Sequence, residues 1–383
     1  MTDDPADVVE RLLSGEHRAL ARAITMIENR APGYRELVGA LYEHAGDARV
    51  VGITGSPGAG KSTLVDKLAA AYRERGETVG VIAVDPSSPY SGGAVLGDRI
   101  RMASTVGDMD VFVRSMSARG ALGGLATATA EAVTALSAFG KDRILVETVG
   151  AGQNEVDVVR TADTVVVLVQ PGSGDDVQML KAGILEIGDV FVVNKADLPG
   201  ADQTVADLEE MIHLRDASPE AAGRRAGAGH HADTGHHGPV GRRTTPGPDD
   251  VPGSDAAAVS EPADATAGAE STDAAEWTPP VVETVATTGE GLDDLLEALA
   301  AHQRYLVESG ALERRELGRT AEEIRRLVRS DVADLVADEL ARRGGAESLA
   351  RAVLAGETDP YGVADDVLEP LRACLDAGAE SEE

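Results

Sequence analysis

Seven short runs rich in Val, Ile and Leu recur along this chain of 383 residues. They read RVVGITG (49–55), TVGVIAV (78–84), DVFVRS (110–115), RILVET (143–148), TVVVLVQ (164–170), VFVVN (190–194) and PVVETVA (280–286). A strand with one wet face alternates apolar and polar residues. Most of these runs stay apolar throughout, so both of their faces are covered. Strands of that kind, separated by helical stretches, specify an α/β fold: a mostly parallel sheet with helices on both faces. Ligands of such sheets gather where the strands end, at their C-terminal edge.

The flanks divide the chain further. Over residues 1–46, Val9, Leu12, Leu13, Leu20, Ile24, Ile27, Leu37 and Leu41 fall at helical spacing and predict an N-terminal helical extension. The sheet domain is expected over 47–214 and 277–309. Between its two parts, residues 215–276 are dominated by Ala, Gly, Asp, Pro, Thr and Ser. Such a segment cannot bury enough apolar surface to offset its ordering entropy, and we expect a disordered insertion. It contains His230, His231, His236 and His237 in HHADTGHH, to which no metal is assigned, because a low-complexity run fixes no ligand geometry. Residues 310–383 are expected to form a helical region with a flexible tail. There Leu317, Ile324, Leu327, Val328, Leu335 and Leu340 share one stripe. Coming after a complete sheet domain, the stripe has little core left to join, and it predicts a homodimer.

Charge narrows the function classes. The chain carries 66 acidic residues against 35 basic ones, a formal net charge of −31, and its only lysines are 61, 67, 141, 181 and 195. This balance reads as adaptation to a salty, halophilic interior, where molar salt shortens the screening length to about 3 Å. It argues against nucleic-acid binding, which needs a basic face. The single cysteine, Cys374, excludes an internal disulfide framework. The acidic start MTDDPADVVERLL has no apolar leader core, and no 18-residue apolar run follows, so we expect a cytoplasmic protein without a membrane span.

Between the first run and the helical stretch after it stand Gly55, Ser56, Pro57, Gly58, Ala59, Gly60, Lys61, Ser62 and Thr63. The G-x-x-x-x-G-K-S spacing lets successive backbone N–H groups face phosphate oxygens at a helix N-terminus. Lys61 is placed to reach the β- and γ-phosphates, and the Ser62 hydroxyl to join a Mg²⁺ shell. Asn194, Lys195 and Asp197 form N-K-x-D at the end of a later run. The Asp197 carboxylate can accept from N1–H and the 2-amino group of guanine, a pair that adenine lacks. Asn194 would brace the loop and meet N7, and the Lys195 stem would lie over the ring. In TVATTGEG, Val285, Ala286 and Thr287 would bring a backbone N–H to the guanine 6-oxygen. Glu147 and Asp85 end strands where a carboxylate can approach the metal, and Gly150 can sense the γ-phosphate. The expected ligands are GTP or GDP and Mg²⁺.

The blocks DPSSPYSGGAVLGDRIRM (85–102), VETVGAGQNEVDV (146–158) and QPGSGDDVQMLKAGILEIGDVFVVNKAD (170–197), with the terminal helices, resemble the methylmalonyl-CoA mutase-associated GTPases. Members have also been labelled lysine/arginine/ornithine transport kinases. The resemblance covers about residues 1–214 and 277–345. It implies a homodimeric GTPase that binds an adenosylcobalamin-dependent mutase, gates transfer of the cofactor from an adenosyltransferase, and helps remove damaged cofactor. It puts Asp85 and Asp98 in a first switch near Mg²⁺ and Glu147 to Gln153 in a second. Asp175, Asp176 and Lys181 fall in a third, with Lys181 placed to meet transition-state charge. Asp98 and Gln153 are the candidates for orienting the attacking water. In the usual base-binding motif Ser precedes the Ala, and this chain has Val285 there, which leaves the Ala286 amide intact. A metal-delivery GTPase and a kinase of an amino-acid transport system stand as the alternatives. The client is open between methylmalonyl-CoA mutase and a related acyl-CoA mutase.

Overall fold

All seven apolar runs form strands, and they join into one parallel sheet. The computed structural model describes residues 4–46, 48–85, 104, 107–117, 124–148, 160–172, 185–216 and 276–379. The strands are β1 (Arg49–Gly55), β2 (Val79–Asp85), β3 (Val111–Ser117), β4 (Arg143–Thr148), β5 (Thr164–Val169), β6 (Val190–Asn194) and β7 (Val281–Thr284). Their order is β3-β2-β4-β1-β5-β6-β7, and every pairing is parallel. Strands β2 to β4 fill one side of β1, and β5 to β7 the other. The sheet's winding therefore reverses beside β1, and the crevice above that point is where doubly wound sheets hold ligands.

Alternation along each strand sends neighbouring side chains into different layers. On one face, Val50, Ile82, Val84, Ile144 and Val146 pack with α1 (Pro5–Leu13), α2 (His17–Glu28), α3 (Tyr34–Tyr42) and α5 (Gly124–Ala138). On the other, Val51, Ile53, Val81, Leu145, Val166 and Val192 meet α4 (Lys61–Glu74) and α7 (Leu292–Glu308). Helix α6 (Ala201–Asp216) covers Val167, Phe191 and Val193. Leu12, Leu20, Ile24, Ile27, Leu37 and Leu41 are fully buried. At roughly 1.5–3 kcal/mol for each such side chain, the N-terminal helices are a layer of the sheet domain as much as an extension of it.

The C-terminal region is helical as expected, in three helices: α8 (Ala311–Arg342), α9 (Gly345–Leu354) and α10 (Pro360–Ala379). Helix α8 runs for 32 residues with none of them buried. Its root is held by ionic contacts. Arg315 donates to both carboxylate oxygens of Asp189 at 2.8 and 3.1 Å, and Arg319 donates to Asp163 at 2.7 Å. Farther along, Tyr42 donates to Glu323 at 2.6 Å and Arg35 pairs with Asp331. The insertion expected over 215–276 lies outside the described residues except at its two ends, as does the tail 380–383.

Candidate nucleotide site

The loop between β1 and α4 follows a path that only glycine permits at two places. Gly55 has φ 136° and Gly60 φ 96°. A Cβ on Gly55 would lie 2.0 Å from the Leu168 carbonyl oxygen of β5, and one on Gly60 would lie 2.4 Å from Asn194 Nδ2. The loop is thus wedged between the end of β5 and the start of the base motif, with Ser56 N–H donating to Leu168 O at 3.1 Å. Lys61 opens α4, and its ammonium curls back to donate to Gly55 O (2.7 Å) and Ser56 O (2.9 Å). It is only 6% exposed. The helix's positive end and this captive cation make the loop a ready anion cradle.

Ser62 Oγ donates to Glu147 Oε1 at 2.5 Å. Glu147 sits on β4 opposite Ile53 of β1 and Ala83 of β2, which carries its carboxylate to the head of α4. A hydroxyl and a carboxylate meeting here are hard oxygen donors, the kind that suits Mg²⁺. Both residues predicted as metal ligands from β4 and α4 are therefore together. Asp85 ends β2 opposite Ser117, but its side chain lies outside the described residues. So do Asp98, Gly150, Gln153, Asp175, Asp176 and Lys181.

Across the loop, the base motif is braced residue by residue. Asn194 is 2% exposed. Its Nδ2 donates to Ala59 O (2.6 Å), and its Oδ1 accepts from Thr284 Oγ1 (3.0 Å) and Ala286 N–H (3.0 Å). One side chain thereby ties the phosphate loop, β6 and the turn after β7 together. Asn194 thus spends its Oδ1 and one Nδ2 hydrogen on protein partners, and its amide keeps a second N–H. The Ala286 N–H, assigned from the sequence to the guanine 6-oxygen, here donates to Asn194, since a buried N–H takes the nearest acceptor. Val285 needs no hydroxyl to hold its turn. Its N–H donates to Glu290 O at 2.9 Å, and its carbonyl accepts from Thr288 N–H and Gly289 N–H. Thr287 beside it is exposed.

Lys195 adopts a left-handed backbone, φ 62°, unusual outside glycine. Ala196 N–H donates to Thr284 O at 3.1 Å and Leu198 N–H to Lys195 O at 2.9 Å, which holds that turn. Asp197 is exposed and has no hydrogen-bond or ion-pair partner among the described residues. The motif's other polar side chains have protein partners, and this carboxylate stays available to a ligand.

Sequence reasoning missed three groups. Thr284 locks Asn194. Asp66, one turn below Ser62 on α4, is buried and accepts from Ser104 N–H at 3.0 Å and Oγ at 2.5 Å. Gln170, just beyond β5, accepts from Lys195 Nζ at 2.9 Å. A polar residue closing an otherwise apolar run was the signal available for Gln170 and Thr284. Nothing in the spacing marked Asp66.

Comparison with known proteins places the chain among relatives. A family model described as methylmalonyl Co-A mutase-associated GTPase MeaB matches residues 20–341. A Pyrococcus abyssi protein whose name assigns it as a GTPase is 42% identical over 365 residues, covering 95% of this chain and 96% of the relative. The mouse protein named methylmalonic aciduria type A homolog, mitochondrial, is 38% identical over 200 residues, 49% of this chain and 48% of its own. A crystal structure described as LAO/AO transport system kinase superposes with a TM-score of 0.59 at 23% identity, covering 97% of this chain and 99% of that one, a likeness of fold.

Proposed function

Because this chain belongs to the methylmalonyl Co-A mutase-associated GTPase family, MeaB, we propose that it hydrolyses GTP to time its service to an adenosylcobalamin-dependent mutase. The single observation that carries the nucleotide assignment is Asp197, an uncommitted carboxylate at the end of β6, beside a phosphate loop that Asn194 ties to the same motif. Guanine offers that carboxylate two donors, and adenine offers none in that arrangement. The client is methylmalonyl-CoA mutase or a related acyl-CoA mutase, and the family's description supports that reading.

Chemistry at this site is displacement at the γ-phosphorus. A water oxygen forms the new bond, the bond to the β–γ bridging oxygen breaks, and GDP leaves. Such a reaction asks a protein for positioning and charge neutralisation more than for covalent participation. Lys61 holds an ammonium at the loop's mouth, where it can exchange the Gly55 and Ser56 carbonyls for phosphate oxygens. Ser62 and Glu147 are the residues that would hold Mg²⁺, which when bound neutralises charge between the phosphates. Asp85 and Asp98 are assigned to its surroundings, Gly150 to the γ-phosphate, Asp98 and Gln153 to orienting the water, and Lys181 to the developing charge. The first switch with Asp85 and Asp98 and the second at Glu147 to Gln153 then follow the nucleotide state, the third with Asp175, Asp176 and Lys181 relays it to the mutase, and that state gates cofactor transfer from an adenosyltransferase.

The working form is a cytoplasmic homodimer. Leu317, Ile324, Val328 and Leu335 lie 72%, 57%, 57% and 53% exposed on α8, at heptad-like spacing. Such a row fits a helix of a second copy.

Co-purification with mutase subunits tests the proposal. The chain should retain mutase, and the amount retained should differ between a non-hydrolysable GTP analogue and GDP. Equal absence of mutase in both states contradicts it.

A further inference from the structure

The contact between Lys195 and Gln170 has a role that neither motif predicts. Gln170 stands where the chain leaves β5, and Lys195 where it leaves β6, on neighbouring strands. The Lys195 ammonium reaches across this gap to Gln170 Oε1 at 2.9 Å, a partly buried contact. The two loops stay together beyond it, since a Cβ on Gly200 would come within 3.9 Å of Gly172 N. A free lysine carries rotamer entropy that a ligand must freeze in order to use the stem as a surface. Lys195 has already lost part of that freedom at both ends. Its backbone is fixed in the left-handed region, and its ammonium is held by an amide oxygen. A strained backbone of this kind persists where its surroundings over-determine it, as happens at ligand clamps.

We propose that Gln170 is a positioning residue for the base site, holding the Lys195 stem ready as the floor on which a guanine ring rests. The inference rests on the GTP assignment above and deepens it. Gln170 acts through Lys195, so its effect belongs to the base and not to the phosphates. GTP and GDP gain equally from it. The choice of guanine over hypoxanthine, which Asp197 makes at the 2-amino group, does not depend on it.

The test is nucleotide affinity, measured with fluorescent GDP and by competition with GTP, ITP and ATP. Gln170→Met keeps the side-chain length and removes the acceptor. It should weaken GTP and GDP alike, by about tenfold, the size of one lost hydrogen bond to a charged group. The GTP/ITP ratio should stay within about twofold, KM for GTP should rise, and kcat should hold. Gln170→Glu keeps an acceptor oxygen and should restore affinity to within about threefold. In a Lys195→Met background, Gln170→Met should add nothing, because the partner is already gone. A merely structural role would lower the melting temperature without this split. The inference is overturned if Gln170→Met binds both nucleotides as the wild type does, if its effect persists in full without Lys195, or if Gln170→Glu is no better than Gln170→Met. Those results leave the GTP assignment standing. A wild-type chain that does not prefer guanine to adenine nucleotides overturns both.

Discussion

Asp197 and Asn194 share one motif and do opposite things. Asn194 spends its polar atoms on Ala59, Thr284 and Ala286, whereas Asp197 keeps its carboxylate in solvent. Asp197→Asn should therefore leave the fold intact and exchange acceptors for a mixed donor and acceptor. Affinity for GTP should fall on the order of 100-fold, and xanthosine triphosphate should become the better ligand in a competition assay. Unchanged GTP affinity would show that the base is read elsewhere. Asn194→Ala should behave as a fold variant. It strips Ala286 N–H and Thr284 Oγ1 of a buried acceptor, and should lower stability by about 2 kcal/mol in urea melts besides weakening nucleotide binding. At this scale the sequence was most legible where chemistry dictates spacing. Lys61 and Ser62 follow from the loop pattern, and Glu147 from its place at a strand end. It was least legible where a residue acts on another residue. Gln170 matters through Lys195, and no spacing along the chain reveals a contact made between neighbouring strands.

The elements divide in the same way. The seven strands were readable because burial on both faces leaves runs of Val, Ile and Leu that no other environment favours. The docking of α8 was not readable, because it depends on charges meeting across the fold. Asp189, just before β6, is buried and accepts from Arg315 and from Val165 N–H, with His302 Nε2 at 3.3 Å. Burial by itself would raise this carboxyl, but the nearby His302 ring and the hydrogen-bonded Arg315 guanidinium outweigh it and hold the group below its ordinary value. Such a carboxylate contributes stability at neutral pH that is lost as pH falls below about 4, through the folded value. Arg315→Ala leaves it buried with less compensation. The Arg315 side chain is 38% exposed and Asp189 keeps the Val165 N–H, so the variant should lose on the order of 1–3 kcal/mol at pH 7 in urea unfolding. Glu131 on α5 behaves the other way. Burial, reinforced by the charge of Glu323 on α8, pushes its carboxyl up to about 7. A carboxyl raised in the folded state costs stability as pH climbs from about 4 towards 7, and above 7 the cost is complete. Glu131→Gln should therefore stabilise the chain by on the order of 2 kcal/mol at pH 8, with the gain vanishing near pH 4. A gain independent of pH would mean that the amide improves packing and that the charge is not the cause.

For the whole molecule, two features of the surface matter. A net charge of −31 means self-repulsion at low salt, and the halophilic reading expects the melting temperature to rise steadily between 0.1 and about 2 M KCl. A flat profile would leave the acidic surface to some other cause. The apolar row on α8 expects a dimer in the same buffers. Ile324→Glu together with Val328→Glu should give a monomer by sedimentation, with GTP binding retained, since α8 is rooted on Asp163 and Asp189, before β5 and β6 begin, and the nucleotide cradle lies where β1 ends. Under the proposed function, the nucleotide cradle and the exposed helix both serve a mutase partner. GTP hydrolysis measured with and without an adenosylcobalamin-dependent acyl-CoA mutase tests that purpose most directly. The account predicts slow turnover alone and a clear acceleration when the mutase is added, lost again in Asp197→Asn. A rate indifferent to every such mutase would contradict it.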